Sequence, residues 1–351
     1  MALLARAAHF APGEPIPRDL FLKTVDLGPE DPDARLRAED ALGRLVMLGL
    51  LEVGKAGGLV MHRLVAEFAR NSADGEAAKA AVEEKLYLEA NRLNKAGYPA
   101  PLVAWQAHLR AVVEGARERE DEQAALLCSA FDYHLQAIGD LQGARPYSER
   151  ALAIQESVLG GEHPDTSRSL NNLGFLLWSQ GDFAGARSYY ERALAIREKV
   201  LGAEHPDTAL SLNNLGALLQ SQGDLAGARP YSERALAIRE KVLGAEHPDT
   251  AQSLNNFGEL LRSQGDLAGA RPYYERALAI KEKVLDAEHP DTALSLNNLG
   301  FLLQSQGDLA GARPYYERAL AIKEARLGPD HPSTRLTREN LESLGSPSDR
   351  G

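Results

Sequence analysis

The chain has 351 residues, longer than a typical single domain, and its apolar fraction of 44% suits a packed protein rather than a disordered one. A formal net charge of −11 without any long basic run argues against a nucleic-acid binder, which would need a cationic face for phosphates. The single cysteine, Cys128, excludes an intrachain disulfide framework and suits a reducing cytoplasm, while no run approaches the ~20 apolar residues of a membrane span and no basic lead or cleavage site marks a signal peptide.

Residues 1–70 do not repeat. IPRDLF follows a Pro/Gly-rich turn and reads as a helix start, and Ala41 to Leu51 reads as an apolar helix. LLEV and LVMH read as two strands turning at GKAGG, and HRLVAEFAR as a closing helix. The stretch Gly49-LLEV-Gly54-Lys55-Ala56 comes close to the phosphate-binding GxxxxGK[ST]. It fails twice: Ala56 has no hydroxyl for magnesium, and an apolar helix running into a strand is the wrong order of elements. Helices followed by a hairpin suggest a winged-helix-like domain over 1–70.

That order resembles the small domain that follows the nucleotide-binding module in bacterial STAND signalling ATPases of the NB-ARC class, where a repeat array often comes next. The resemblance implies an ATPase core domain as a partner. The Walker motifs of such a core are absent from the sequence, so the chain reads as a fragment, a shortened gene product or a stand-alone relative. A winged helix can also bind DNA, but nine Lys/Arg against ten Asp/Glu in residues 1–70 disfavour it. Residues 71–120 hold two helical patterns separated by Gly97 and two prolines. They read as an atypical hairpin bridging to an array, with Trp105 in its core.

From Asp121 the chain repeats. HPDT begins at His163, His205, His247 and His289, and HPST at His331. SLNN begins at Ser169, Ser211, Ser253 and Ser295, again 42 residues apart. QGD, AGAR and ERALAI follow in each unit. Such identity means tandem units that bury their apolar faces against one another. Within 163–204, Pro164 suits a first helical turn, Leu170, Leu173 and Leu177 recur at helical spacing, Gly181 can end the helix in the left-handed region, and Asp182 can cap the next. Ala186, Tyr190, Ala193, Leu194 and Val200 carry the second stripe, so the unit is a helical hairpin. A degenerate unit fits 121–162, where Asp132 replaces the glycine of LG. Residues 121–330 thus hold five units, 331–346 a capping helix, and 347–351 a fraying tail.

Leu170-x2-Leu173-Gly174-x2-Leu177 followed by Ala186-x3-Tyr190 resembles the tetratricopeptide signature W-x2-L-G-x2-Y…A-x3-F. The unit exceeds the family's 34 residues by eight, which predicts a second helix extended through IREKVL. The long unit resembles the repeats of kinesin light chains and their bacterial relatives. The fold implied is an all-α right-handed superhelix, an α-solenoid, behind the small winged-helix-like domain.

By that resemblance, the first helix of each hairpin lines a concave wall. Internal comparison locates variation on one helical stripe among near-identical units. Arg168 becomes Leu210, Gln252 and Leu294; Phe175 becomes Ala217, Glu259 and Phe301; Trp178 becomes Gln220, Arg262 and Gln304. Fixed amides flank them: Asn171 and Asn172, Asn213 and Asn214, Asn255 and Asn256, Asn297 and Asn298. The expectation is a groove for a protein or extended peptide, in which amides bond the ligand backbone and the varying residues read its side chains. Tetratricopeptide domains use asparagines at matching positions in this way, by resemblance. A second reading stays open: one asparagine of each pair bonds the adjacent hairpin and fixes the stacking.

Trp178 and Phe175 either anchor a ligand or cover the junction with the preceding unit. The HPD histidines are predicted to cap helices, because stacking holds them a repeat apart, too far to share one zinc. The ERAL arginines and glutamates are expected in solvated or inter-repeat pairs. No nucleophile or carboxylate constellation indicates catalysis, and no cofactor or metal is implied. The function expected is recognition in the cytoplasm, as the sensor arm of a STAND-type signalling ATPase. The alternatives are a free-standing scaffold or, less favoured, a DNA-binding regulator.

Overall fold

The computed structural model describes residues 2–25, 33–54, 57–97, 99–285 and 287–345. Its contacts divide the chain into two units, residues 1–134 and 135–351. Among the described residues, seventeen helices and one two-stranded hairpin account for the regular structure, so the protein is all-α in class. None of these helices is long and apolar enough to cross a membrane.

The first unit contains α1 (Ala2–Ala7), α2 (Arg18–Lys23), α3 (Ala34–Met47), β1 (Glu52–Val53), β2 (Leu59–Val60), α4 (Arg63–Arg70), α5 (Gly75–Lys95), α6 (Ala100–Ala116) and most of α7 (Glu122–Ala137). The strands pair antiparallel with Val53 opposite Leu59, and Ile16 bridges Leu59 from the other side. Gly54 N donates to Gly58 O at 2.7 Å and closes the hairpin; Lys55 and Ala56 of its turn lie outside the described residues.

The apolar helix expected to reach Leu51 ends at Met47. Gly49 takes φ +66°, and Leu50 and Leu51 lead into the strand instead. Trp105 is buried on α6, with the Lys23 ammonium 5.0 Å from its ring centroid. Glu83 is buried on α5 and receives both terminal nitrogens of Arg119, at 2.8 and 2.7 Å. Cys128 is fully buried on α7.

The second unit is built from hairpins. Its helices are α8 (Leu141–Val158), α9 (Pro164–Ser179), α10 (Phe183–Val200), α11 (Pro206–Ser221), α12 (Leu225–Val242), α13 (Pro248–Ser263), α14 (Leu267–Val284), α15 (Pro290–Ser305), α16 (Leu309–Leu327) and α17 (Pro332–Glu342). The HPD histidines are N-caps: His163 Nδ1 accepts from Asp165 N at 3.2 Å, and His205, His247 and His289 do the same at 3.1 Å. Gly181 ends α9 at φ +84°, and Asp182 Oδ1 accepts from Gly185 N at 2.9 Å to start α10. The second helix runs 18 residues to Val200, which absorbs the extra length of the unit.

Leu170, Leu173 and Leu177 pack with Ala186, Tyr190 and Ala193, all buried. Burial of each leucine is worth about 1.5–3 kcal/mol. The hairpin closes tightly at Gly174, where a Cβ would come within 2.7 Å of the Tyr190 ring. ERAL arginines tie each unit to the one before: Arg192 to Glu156 at 2.6 Å, Arg234 to Glu198 at 2.7 Å, Arg276 to Glu240 at 2.6 Å. Such exposed pairs contribute about 0–1 kcal/mol each.

Consecutive first helices touch one another (α9 with α11, α11 with α13, α13 with α15) more closely than consecutive second helices do. They therefore crowd the inside of the bend. At the far end, α17 covers the last hairpin, and Leu341 and Leu344 join its apolar cluster. The start of α17 also meets the start of this unit. His331 Nε2 lies 2.7 Å from Ala137 O, and Pro332 sits over Gly139, where a Cβ would come within 3.1 Å of its ring. Residues 347–351, expected to fray, lie outside the described residues, as does Ser346 of the expected cap.

Candidate functional site

The stripe singled out in the sequence lies along the first helices of the hairpins. Arg168, Phe175, Gln252 and Leu294 are exposed; Asn172, Trp178, Leu210, Asn214, Gln220, Asn256, Glu259, Arg262, Asn297, Asn298, Phe301 and Gln304 are half-buried. Phe175 stands 42% in solvent, an unusual exposure for an aromatic side chain. Its ring meets that of Trp178 at 5.6 Å.

Three asparagines of the stripe do not face solvent. Asn171, Asn213 and Asn255 are buried, each with no more than 4% exposed, and they belong to the seam between hairpins. Asn213 Nδ2 donates to Ser253 Oγ at 2.7 Å, and Asn255 Nδ2 to Ser295 Oγ at 2.8 Å. Asn171 orients its amide oxygen toward the Arg197 guanidinium (2.7 and 3.0 Å) and Ser211 Oγ (3.1 Å). For Asn171, Asn213 and Asn255 this corrects the expectation of a ligand-reading amide, because a side chain without surface cannot bond a ligand, and it accords with the second reading, in which one asparagine of a pair joins adjacent hairpins. At the end of the array Asn297 is half-buried, and its Oδ1 accepts from Thr337 Oγ1 at 3.1 Å on α17.

The seam holds a feature the sequence reading missed. Arg197, Arg239, Lys281 and Lys323, again 42 residues apart, are buried cations on the second helices. Arg197 Nη1 donates to Asp207 O at 2.8 Å and Ser211 Oγ at 3.0 Å; Arg239 repeats this with Asp249 O at 2.7 Å and Ser253 Oγ at 3.2 Å. Lys323 Nζ donates to Thr337 Oγ1 at 2.8 Å. Desolvation pulls Arg197 down to about 10 and Lys323 down to about 8, and it lowers Arg239 and Lys281 as well. The available signal was a cation fixed at one register position of every complete second helix, but cations in IREKV look like any solvated helix face.

Neighbouring stripe residues interlock. Trp178 Nε1 donates to Ser221 Oγ at 3.1 Å, reaching the following unit rather than the preceding one. Gln220 Nε2 donates to Glu259 O at 3.2 Å and Ser263 Oγ at 2.9 Å. Arg262 Nε donates to Glu259 Oε2 at 2.9 Å, and the guanidinium lies over the Phe301 ring at 4.5 Å. The Glu259 carboxylate holds the Arg262 guanidinium above its usual value. Gln304 Oε1 accepts from Tyr316 OH at 2.8 Å. Between Trp178 and Glu259 this face sinks into a depression of about 450 Å³ whose lining includes Ser232, a residue the sequence reading passed over. The face thus offers aromatic edges, amides and two cations, Arg168 and Arg262, each beside a carboxylate, a set suited to binding.

The sequence matches the family described as Tetratricopeptide repeat over residues 121–199, 170–240, 207–283, 249–325 and 291–344, well over half of the chain. No curated protein matches it. Among solved structures, the nearly identical TPR-like repeats of a Podosopora anserina kinesin light chain are 28% identical, covering 59% of this chain and 98% of that one, with a TM-score of 0.44. NprR in complex with its cognate peptide NprX is 12% identical, covering 90% and 87%, with a TM-score of 0.60. Rap protein complexed with Competence and Sporulation Factor is 16% identical, covering 78% and 82%, with a TM-score of 0.57. The last two share the fold. Helical hairpins repeating every 42 residues, sealed by LG against a buried tyrosine and matched over five overlapping spans, place this chain in the tetratricopeptide repeat family.

Proposed function

We propose that the inner face of the array holds an extended segment of a partner protein and that the module works by recognition rather than catalysis. The observation carrying this reading is the pattern of substitution. Units that are otherwise near-identical take three different residue types at only three register positions, and all of these project from the helices crowding the inside of the bend. Phe175 and Trp178 in one unit, Glu259 and Arg262 two units on, and Phe301 beyond them would read side chains. Asn172, Asn214, Asn256 and Asn298 retain surface and can bond a ligand backbone. The solved NprR and Rap complexes, which share the fold, are consistent with it.

The finer reading makes the array the sensor arm of a STAND-type ATPase, acting in the cytoplasm. Its support is the order of elements in residues 2–70: helices, a short hairpin, then the capped helix α4. An in-frame upstream Walker motif in the genome would bear it out, and a free-standing gene without a neighbouring ATPase would count against it.

The test of the recognition reading is a peptide-array screen with the full chain and a Trp178→Ala/Arg262→Ala variant. Removing an aromatic and an arginine anchor is expected to weaken retained peptides by about tenfold or more while helical content stays unchanged. Equal retention by both proteins would move the site elsewhere.

A further inference from the structure

Ser232 stands where three sister units carry a tyrosine. The equivalent buried positions hold Tyr190, Tyr274 and Tyr316. Each ring lies against the glycine of its own first helix: a Cβ on Gly174, Gly258 or Gly300 would meet it at 2.7, 3.2 and 3.1 Å. In the unit of α11 and α12, Gly216 instead faces Ser232 Oγ, which a Cβ would meet at 2.7 Å. The ring's space is not refilled from the first helix either. The position that is Phe175, Glu259 and Phe301 in the sister units is Ala217 here. Two truncations fall in one hairpin, and they coincide with the depression of about 450 Å³ lined by Trp178, Ala217, Gln220, Ser232, Asn256 and Glu259. Ser148 in the degenerate unit is also truncated, but there Asp132 replaces the glycine as well, so both members of the pair have changed.

The polar groups at the site indicate what is missing. In the last complete unit Tyr316 OH donates to Gln304 Oε1 at 2.8 Å. Gln220 is the register equivalent of Gln304. Its Nε2 is engaged with Glu259 O and Ser263 Oγ, while its Oε1 lacks the tyrosine donor that Gln304 has. Trp178 and Ala217 supply apolar walls. The pocket therefore holds the acceptor and the ring space of a buried tyrosine without the tyrosine.

We propose that this pocket takes a tyrosine side chain of the bound segment, with the ring beside Ala217 and Ser232 and the phenol hydroxyl donating to Gln220 Oε1. The proposal rests on the recognition reading of the same face and names its anchor.

The test uses 4-methylphenol, the excised tyrosine side chain, titrated into the full chain and followed by protein NMR shifts. Saturable binding with a dissociation constant on the order of a millimolar is expected for so small a ligand. Toluene, which lacks the hydroxyl, should bind about fivefold to tenfold more weakly. Ser232→Tyr restores what the sister units hold; it should fold, melt no lower than the wild type and lose the binding. Ala217→Phe blocks the same space from the other helix and should lose it too.

Equal saturation in wild type and both variants, or no saturation in the wild type up to the solubility limit, overturns the proposal. The array screen separates the two readings. Binding of 4-methylphenol with no peptide retained removes the recognition reading but leaves the pocket. Peptides retained regardless of tyrosine, with no 4-methylphenol binding, remove the pocket but leave the recognition face.

Discussion

Two buried polar side chains set the chemistry at the residue scale. His134 on α7 is fully buried, neither ring nitrogen has a hydrogen-bond partner, and burial pushes it down to about 4. The unfolded chain protonates this histidine near 6.5 while the native state does not, so between those values the unfolded state binds more protons. Stability therefore falls as pH drops from about 6.5 toward 4, by up to about 3 kcal/mol from this group. His134→Leu should flatten that acid arm in denaturant titrations at pH 7 and pH 4.5.

Asn213→Ala removes a seam amide and should lower stability by about 1–2 kcal/mol in urea. Retention on the peptide array should stay as it was; a loss of binding without a loss of stability would return the first asparagine row to the recognition face. Sequence reading could not separate the two asparagines, because adjacent helical residues point only about 100° apart and a narrow stripe admits either. The buried cations and Ser232 escaped for a related reason: each looks like an ordinary residue until the neighbouring hairpin is in place.

At the scale of the element, the sequence was far more legible. Pro164, Gly181 and Asp182 each carry a backbone preference strong enough to mark a helix end, and repetition every 42 residues removed the remaining ambiguity. The histidine of HPD acts through Nδ1, an N-cap acceptor. His205→Ala should cost about 1 kcal/mol in thermal or urea unfolding, and His205→Asn, which restores an acceptor, should recover most of it. The amino-terminal elements were read less well. No repeat disciplines them, and a run such as ALGRLVMLGLL gives a periodic pattern that continues past the glycine where the helix stops.

For the whole molecule, stability comes from neighbour-to-neighbour burial, and the last interface is where it can be removed most cleanly. A chain ending at Gly328 would uncover the apolar surface that Leu341 and Leu344 now cover. Amide hydrogen exchange in α15 and α16 should accelerate far more than in α9 and α10, and the truncated protein should self-associate. Uniform exchange throughout would mean that the hairpins unfold as one block rather than from the end.

A stacked array of this kind ordinarily behaves as a spring, free to wind or stretch because its two extremities never meet. Here the imidazole of His331, protonated on Nε2, donates to the Ala137 carbonyl while its Nδ1 accepts from Ser333 N at 3.1 Å, so one side chain both starts the last helix and fastens the coil to its own beginning. Widening the hollow to admit a bulkier guest would first have to undo that fastening. Under the proposed recognition role, the coil is thereby biased toward slender guests and against those that need it to unwind.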